Sequence, residues 1–180
     1  MEHVYLTRPS ERLKDQYLAY YQEWIKSGEP FIPQAITKDP SDFQEMLKLF
    51  TNEEKGIGLR AGWVSSSTFL LIGEDERMIG AVHIRHKLTE DLLNSGGHIG
   101  YGIRPSERRK GFATKLLELA LIEAKSLGIS KVLVVCDEDN RASAKTISNN
   151  NGLQIEDFIE EDGNVIQRFW IDTFERTLNP

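Results

Sequence analysis

The stretch that decides the fold is HIGYGIRPSERRKGFATKLLELALIEAKSLGISKVLVV, residues 98–135. It opens with an alternating segment, residues 98–103, whose pattern predicts a strand. Apolar residues then recur at helical spacing over 113–127, which predicts an amphipathic helix that ends at Gly128. The unbroken apolar run 132–135 is typical of a strand covered on both faces. Strand, helix and strand in this order predict a right-handed crossover between parallel strands.

The rest of the chain predicts further helices and strands on either side of this unit. Alternation and helical spacing place them as follows: a strand at 2–7, a helix over 10–28, a helix capped by Ser41, an antiparallel hairpin of 68–73 with 77–85, a polar excursion at 86–97, a helix at 140–150 and strands near 153–161 and 165–174. The predicted fold class is α/β: a single domain with a mixed, mostly antiparallel sheet, helices on both faces and a βαβ core.

Composition narrows the class of protein. The 180 residues carry 22 Lys plus Arg against 28 Asp plus Glu, so the formal charge is −6, which argues against nucleic acid as the main partner. The single cysteine, Cys136, excludes an internal disulfide and any multi-cysteine metal site. The longest apolar runs are far shorter than a membrane span. The N-terminus, residues 1–5, has no basic region followed by an apolar core, so no secretory signal is expected. We expect a cytoplasmic protein with no metal, nucleic-acid or membrane partner.

The loop at 104–114, RPSERRKGFAT, carries the chemistry. Three cations, at 108–110, precede a helix N-terminus, where unpaired N–H groups and a partial positive charge ordinarily favour acidic residues. Cations there are unfavourable unless an anion lies among them. Gly111 permits a positive φ or the close approach of a ligand, and small Ala113 keeps the next turn open. The loop therefore predicts a phosphate or pyrophosphate site; the alternative is a solvated basic loop with a glycine for turning.

The run from Arg108 to Ala113 resembles the (Gln/Arg)-x-x-Gly-x-(Gly/Ala) signature of the GNAT superfamily of acyl-CoA-dependent N-acyltransferases. Its setting, between an IGYGIRP strand and a long Leu/Ala helix followed by an apolar strand, is similar to the core of that family. The resemblance implies one N-acetyltransferase domain over 1–180 with a GNAT-like fold. Within it, 67–171 would form the cofactor-binding core, and 1–66 would form the more variable acceptor side.

The resemblance also implies how acetyl-CoA, the acyl donor, would bind. Tyr101, Gly102 and Ile103 would offer main-chain groups of a strand edge to the pantetheine arm. In the family this strand splays from the one at 131–136, and the gap admits the thioester. Gly100 and Gly102 are expected to leave room for that approach.

The pyrophosphate would lie on the loop and on the first turn of the helix. Its expected ligands are main-chain amides from Arg109 to Thr114, with the side chains at 108–110 adding charge. Asn140 matches the asparagine that contacts the cofactor in the family, and Ser143 is a further candidate. The loop residues in this set are Arg108, Arg109, Lys110, Gly111, Phe112, Ala113 and Thr114.

The catalytic groups are harder to assign. In many family members a tyrosine on the helix after the asparagine protonates the departing thiolate, but residues 141–151 contain no tyrosine and Ile147 stands seven positions beyond Asn140. His98 opens the strand that leads into the site and is the candidate base, because an unperturbed histidine titrates nearest neutral pH; the alternative is a structural strand histidine. Cys136 is expected to be a buried core residue rather than an acyl-accepting nucleophile.

Two functions are therefore compared. The leading one is an N-acetyltransferase that moves an acetyl group from acetyl-CoA to a primary amine of a small molecule or peptide, by direct transfer in a ternary complex. The alternative is a catalytically weak acyl-CoA-binding or sensor domain. A kinase or ATPase lacks its Gly-x-x-x-x-Gly-Lys-Ser/Thr stretch, and a Rossmann dehydrogenase lacks the third glycine of its fingerprint. The family also suggests a homodimer.

Overall fold

The computed structural model describes residues 3–174. The helices and longer strands follow the predicted order. They are β1 (Val4–Thr7), α1 (Lys14–Ser27), α2 (Phe43–Lys55), β2 (Ser66–Gly73), β3 (Met78–Arg85), β4 (Ile99–Ile103), α3 (Phe112–Ser126), β5 (Lys131–Asp137), α4 (Arg141–Ser148), β6 (Leu153–Ile159) and β7 (Val165–Asp172). Residue 2, where the first strand was predicted to begin, lies outside the described residues.

The strands form two sheets. One has the order β1-β2-β3-β4 and the other the order β5-β7-β6, and every ladder in residues 3–174 is antiparallel. The predicted α/β class, with a mostly antiparallel sheet, is confirmed.

Helices cover both faces of the first sheet, as predicted. Along β2 the side chains alternate: Phe69 and Leu71 join the apolar cluster of α3, whereas Leu70 and Ile72 join the cluster of α1 and α2. This is the period of two that a strand imposes. The cofactor-side helix and the N-terminal helices therefore lie on opposite faces of one sheet.

The N-cap of α2 differs from the prediction. Asp42, not Ser41, caps the helix, because its carboxylate accepts the amide hydrogen of Glu45 at 3.0 Å. The hydroxyl of Ser41 donates instead to Asp39 at 2.8 Å. Both residue types are good caps, and the competing acceptor at Asp39 decides between them.

The two strands joined by α3 lie side by side without a ladder. The amide of His98, just before β4, donates to the carbonyl of Leu133 on β5 at 2.7 Å. Further along both strands, Tyr101 is close enough to Cys136 for the two groups to interact electrostatically. The strands thus run in the same direction, as the crossover predicts, but they belong to different sheets. We call the space between residues 101–103 and 135–137 the β4–β5 gap.

Within residues 3–174, no helix is both long and apolar enough to cross a lipid bilayer.

Candidate active site

One edge of β4 is open to the gap. Antiparallel pairing directs the main-chain groups of alternate residues to the partner strand. The amide of Arg104 donates to Ile79, next to β3, at 2.9 Å, so Gly102, two residues earlier, faces the same way. Tyr101 and Ile103 therefore direct their main-chain groups away from β3, on the side of the gap, where the carbonyl of Ile103 accepts a hydrogen bond from Arg108 Nε at 3.2 Å. Of the three residues predicted to offer main-chain groups to the gap, Tyr101 and, through its amide, Ile103 therefore do so, whereas the main-chain groups of Gly102 face β3.

Gly102 is needed because another segment of the chain lies close to its backbone. A Cβ at this position would overlap the carbonyl oxygen of Ile32, in the segment between α1 and α2. At Gly100 a Cβ would lie 3.5 Å from Pro33 Cβ, which is ordinary packing. The expectation that these glycines make room for the pantetheine arm is therefore corrected: on this face the space over β4 is occupied by the chain's own 31–33 segment.

His98 closes one end of the gap and cannot be the base as predicted. Its Nδ1 accepts the amide hydrogen of Leu133 at 2.9 Å, so the lone pair of the neutral ring is engaged. Burial, with a contribution from Arg85, lowers the pKa of His98 to about 4. The ring also meets Trp170 edge to face. His98 is a structural link between β4 and β5.

The loop before α3 presents main-chain amides. Arg109 has φ +62° and Gly111 φ +87°, so two residues take the left-handed conformation just before the helix. Such turns aim successive N–H groups into one concavity, and the first amides of a helix have no partner within it. The amide of Thr114 donates to the Gly111 carbonyl at 3.1 Å. The predicted set of amides, 109–114, is thereby reduced to 109–113.

The side chains of the three loop cations differ in whether they already have a partner within the protein. Arg108 turns back towards α1: its guanidinium lies 2.7 Å from Glu29 and over the ring of Trp24. Lys110 pairs with Glu107 at 2.8 Å. Arg109 has no ion pair or hydrogen bond within the part of the chain that the structure describes. Of the three cations predicted to add charge at an anion site, Arg109 is the one whose side chain has no partner among the described residues.

A buried ion pair fixes this loop to α1, and the sequence reasoning missed it. Arg104 is buried and donates to Glu23 at 2.8 Å through Nε and to the carbonyl of Met78 at 2.9 Å. The other oxygen of Glu23 accepts the amide of Ser106 at 2.7 Å. The sequence does mark both residues as unusual, because Arg104 directly follows a strand and Glu23 interrupts an aromatic helix face. It does not indicate that these two positions, 81 residues apart, form a pair.

Asn140 and Ser143 lie together at the start of α4. Asn140 is the N-cap, and its Oδ1 accepts the amide of Ser143 at 3.1 Å. Asn140 is exposed, and its side-chain amide donors have no partner among the described residues. Asn150, at the other end of α4, donates to the carbonyl of Thr114 at 3.1 Å and ties the helix to α3.

A second histidine, His83, lies on β3. His83 bonds through Nδ1 to the hydroxyl of Thr68 at 3.0 Å. Burial lowers the pKa of His83 to about 3. Two histidines near β4 are therefore neutral at physiological pH.

Two further groups of the gap keep their protons. Burial, together with Asp137 and Asp157, raises the pKa of the Cys136 thiol to about 11, which fits the predicted core cysteine. Burial likewise raises the pKa of Tyr101 to about 12, while Ser143 and Thr146 act to lower it. Tyr101 and Cys136 are thus neutral proton donors on the two walls of the gap.

An unpaired edge of β4 towards β5, beside a helix N-terminus with free amides, is the arrangement that the resemblance to the N-acyltransferase class implies. The family model described as an acetyltransferase (GNAT) domain matches residues 3–152, and the chain belongs to this family. It is therefore an acetyltransferase of the acetyl-CoA-dependent class.

Solved structures of low sequence identity share the fold. The ribosomal-protein-S5-alanine acetyltransferase of Vibrio fischeri matches with a TM-score of 0.70 at 13% identity, covering 98% of this chain and 97% of that one. The microcin C7 self-immunity acetyltransferase MccE, in complex with acetyl-CoA and AMP, matches at 0.66 and 14%, covering 96% and 93%. A chimera of Vibrio cholerae spermidine N-acetyltransferase SpeG and hSSAT matches at 0.64 and 15%, covering 98% and 99%. No curated protein matches the sequence.

Proposed function

We propose that this protein transfers the acetyl group of acetyl-CoA to a primary amine of a small molecule or peptide. The observation that carries the proposal is the unpaired edge of β4, at the main chain of Tyr101 and the amide of Ile103, next to the free amides of 109–113. Main-chain groups on a strand edge bind an extended amide chain as a further strand would. Amides at a helix N-terminus bind phosphate. Pantetheine amides joined to a pyrophosphate fit both.

The residues for the donor follow from this geometry. Tyr101 and Ile103 would hold the pantetheine arm, and the amides of 109–113 would bind the pyrophosphate. The guanidinium of Arg109 would pair with a further phosphate. The amide donors of Asn140 would reach the donor from α4. Acetyl-CoA supplies an activated acyl group, and these residues hold its thioester in the gap.

We propose direct transfer rather than an acyl-enzyme. A covalent route needs an activated nucleophile, and the nucleophile of a cysteine is its thiolate. Cys136 is buried, and burial raises the pKa of its thiol to about 11. With this thiol protonated, the incoming amine itself attacks the thioester carbonyl. Holding amine and thioester together then supplies much of the rate.

The acceptor side is assigned to residues 1–66 and the donor side to residues 67–171, within one domain over 1–180. The segment containing Ile32 and Pro33 lies on the face of β4 that also carries α1 and α2, opposite α3. An amine approaching from this face would reach the gap beside that segment. This arrangement supports acceptor selection by the connection between α1 and α2.

Deprotonation of the amine falls to solvent in this proposal. His98 and His83 keep pKa values of about 4 and 3, so neither accepts a proton readily near neutral pH. We expect kcat/KM to rise with pH towards the pKa of the acceptor amine itself, with no histidine limb near its ordinary value, about 6.5.

The alternative is an acyl-CoA sensor, and one observation favours it: no tyrosine lies on α4, where the described residues 141–148 could have placed a proton donor. Two measurements separate the functions. Acetyl-CoA at about 100 times its Kd stabilises by roughly 2.7 kcal/mol, which thermal unfolding detects in either case. Coenzyme A release with spermidine or an alanyl peptide occurs only in the enzyme. If acetyl-CoA caused no thermal shift, both functions would be overturned. A shift without turnover of any amine would favour the sensor.

We further propose a homodimer. The outer strand β6 exposes Leu153, Ile155 and Ile159, and a second copy could cover this apolar edge. Sedimentation of the purified chain tests the assembly.

A further inference from the structure

The hydroxyl of Tyr101 is buried and has no hydrogen-bond partner within the described residues. Leaving a buried polar group unpaired costs about 1–3 kcal/mol, and most such groups in folded proteins are paired. Phenylalanine would fill the same space without this penalty. The Tyr101 hydroxyl is therefore free to pair with a group that enters the gap.

The position of this hydroxyl is set by strands and helices on both sides of the gap. Tyr101 lies on β4 and packs against the apolar cluster of α3. Ser143 and Thr146 on α4, and Cys136 on β5, lie close enough to its hydroxyl to influence its pKa, but none of them forms a hydrogen bond with it. The main chain of the same residue forms the open edge. One residue thus lines the gap with its backbone and carries a hydroxyl towards α4.

Breaking the thioester requires a proton for the departing sulfur. Three side chains on the gap walls are of types that serve as general acids: Tyr101, Cys136 and Asp137. Asp137 accepts a hydrogen bond from the side-chain amide of Asn164 at 3.0 Å, whereas the Tyr101 hydroxyl has no partner within the described residues. Serine and threonine hydroxyls, as at Ser143 and Thr146, are much weaker acids.

We infer that Tyr101 is the proton donor to the sulfur of coenzyme A, an inference that rests on the proposed acetyl transfer. As the amine nitrogen bonds to the acetyl carbon, the carbon–sulfur bond breaks with its electron pair on sulfur. Tyr101 gives its phenolic proton to that sulfur. The proton lost by the amine passes through solvent and restores the phenol. The products are the N-acetylated amine and the free thiol.

The first test is Tyr101→Phe, with Tyr17→Phe as the matched control. Tyr17 also has a buried, unpartnered hydroxyl, but it lies in the other apolar cluster, on α1. We expect kcat of Tyr101→Phe with spermidine or an alanyl peptide to fall about 10²-fold, the usual contribution of a general acid. Its Kd for acetyl-CoA should stay near wild type, and its Tm should equal or exceed that of wild type, because the variant removes an unpaired buried hydroxyl. Tyr17→Phe should keep the wild-type kcat at saturating amine, whatever its KM for the amine.

A binding measurement tests the inference without turnover. Above the thiol pKa, about 8.5, a hydroxyl aimed at sulfur should make wild type bind coenzyme A more tightly than desulfo-coenzyme A. Tyr101→Phe should lose that preference and Tyr17→Phe should keep it.

Three outcomes would overturn the assignment. They are an unchanged kcat in Tyr101→Phe, an unchanged preference for the thiolate, and a kcat loss in Cys136→Ala in place of Tyr101→Phe. If wild type acetylates no amine, the proposed function fails, and the preference for the thiolate still decides where the hydroxyl points.

Discussion

Leu133 holds His98 twice: its amide donates to the imidazole Nδ1 at 2.9 Å, and its carbonyl oxygen accepts the amide hydrogen of His98 at 2.7 Å. Gly97, one residue earlier, has φ +63°, and a Cβ there would lie 2.8 Å from the same carbonyl oxygen. The glycine lets the backbone of β5 come close enough for both bonds. Because β4 and β5 belong to different sheets, this contact closes the gap at one end and leaves it open at Tyr101.

Acid should weaken this link. The pKa of His98 falls from 6.5 to about 4 through burial and Arg85, so the unfolded chain binds the proton more tightly. The contribution of His98 to the free energy of unfolding is therefore complete above its unfolded pKa. It declines as pH falls and is lost on passing through about 4, with an upper limit of roughly 3 kcal/mol.

The check is chemical denaturation at neutral and acidic pH. In His98→Asn an amide oxygen can still accept from Leu133 but does not titrate, so the acid loss should be smaller than in wild type. Since His83 remains in both proteins, its own acid response cancels in the comparison. An equal loss in the two proteins would contradict the role of His98.

Much of the fold could be predicted because its signals are local. The alternation at 98–103, the helical spacing at 113–127 and the apolar run at 132–135 each report on a single strand or helix, and each is confirmed. The cap of α2 was misassigned for an equally local reason. Asp39 competes for the hydroxyl of Ser41, and residue preferences do not show which of two adjacent capping residues is free.

The sequence predicted the parts of the site that depend on backbone conformation, but not the side-chain contacts. Gly111 does take a positive φ, as the loop pattern indicates. By contrast, the pairing of Arg104 with Glu23 and the engagement of His98 by Leu133 depend on contacts between distant segments. A composition rich in cations likewise does not show that Arg108 and Lys110 are already neutralised by Glu29 and Glu107.

Arg109→Gly should weaken acetyl-CoA binding without destabilising the fold. The variant removes a guanidinium that has no partner in the described chain, and glycine adopts φ +62° more readily than arginine does. One partly exposed charge contributes up to about 1 kcal/mol, so Kd should rise roughly fivefold at low salt and less at high salt. Isothermal titration at two salt concentrations measures this change.

Asn151→Gly is the matched control for Arg109→Gly. Asn151 also has a positive φ, +63°, but it lies beyond α4, away from the loop. Its affinity for acetyl-CoA should equal that of wild type. If both variants lose affinity equally, the effect comes from backbone flexibility and not from the charge of Arg109.

Glu23→Gln should destabilise the protein and weaken acetyl-CoA binding together. It leaves the buried guanidinium of Arg104 without its counter-charge, which costs about 3–5 kcal/mol when a buried pair is broken. It also weakens the acceptor that holds the amide of Ser106. Thermal unfolding and titration with acetyl-CoA measure the two effects.

Glu29→Gln provides the comparison for Glu23→Gln. Its partner Arg108 is partly exposed, and surface pairs contribute about 0–1 kcal/mol. A loss of stability in Glu23→Gln no larger than in Glu29→Gln would show that the pair with Arg104 does not fix the loop.

Gly102→Ala separates the two sides of the proposed site. The new methyl would overlap the carbonyl of Ile32 and push the 31–33 segment off β4, at a cost of about 1–3 kcal/mol for overpacking. The main-chain edge at Tyr101 faces β5 rather than the 31–33 segment, so it should be preserved. We therefore expect a raised KM for the amine, with the Kd for acetyl-CoA within about twofold of wild type.

Gly100→Ala is the control on the same strand face, because its Cβ would meet Pro33 at an ordinary 3.5 Å. It should leave stability within about 0.5 kcal/mol of wild type and leave both kinetic constants unchanged. Steady-state kinetics with spermidine or an alanyl peptide, beside titration with acetyl-CoA, distinguishes the cases. If Gly102→Ala lost acetyl-CoA affinity while keeping its KM for the amine, the 31–33 segment would belong to the donor side, and the division at residue 66 would be wrong.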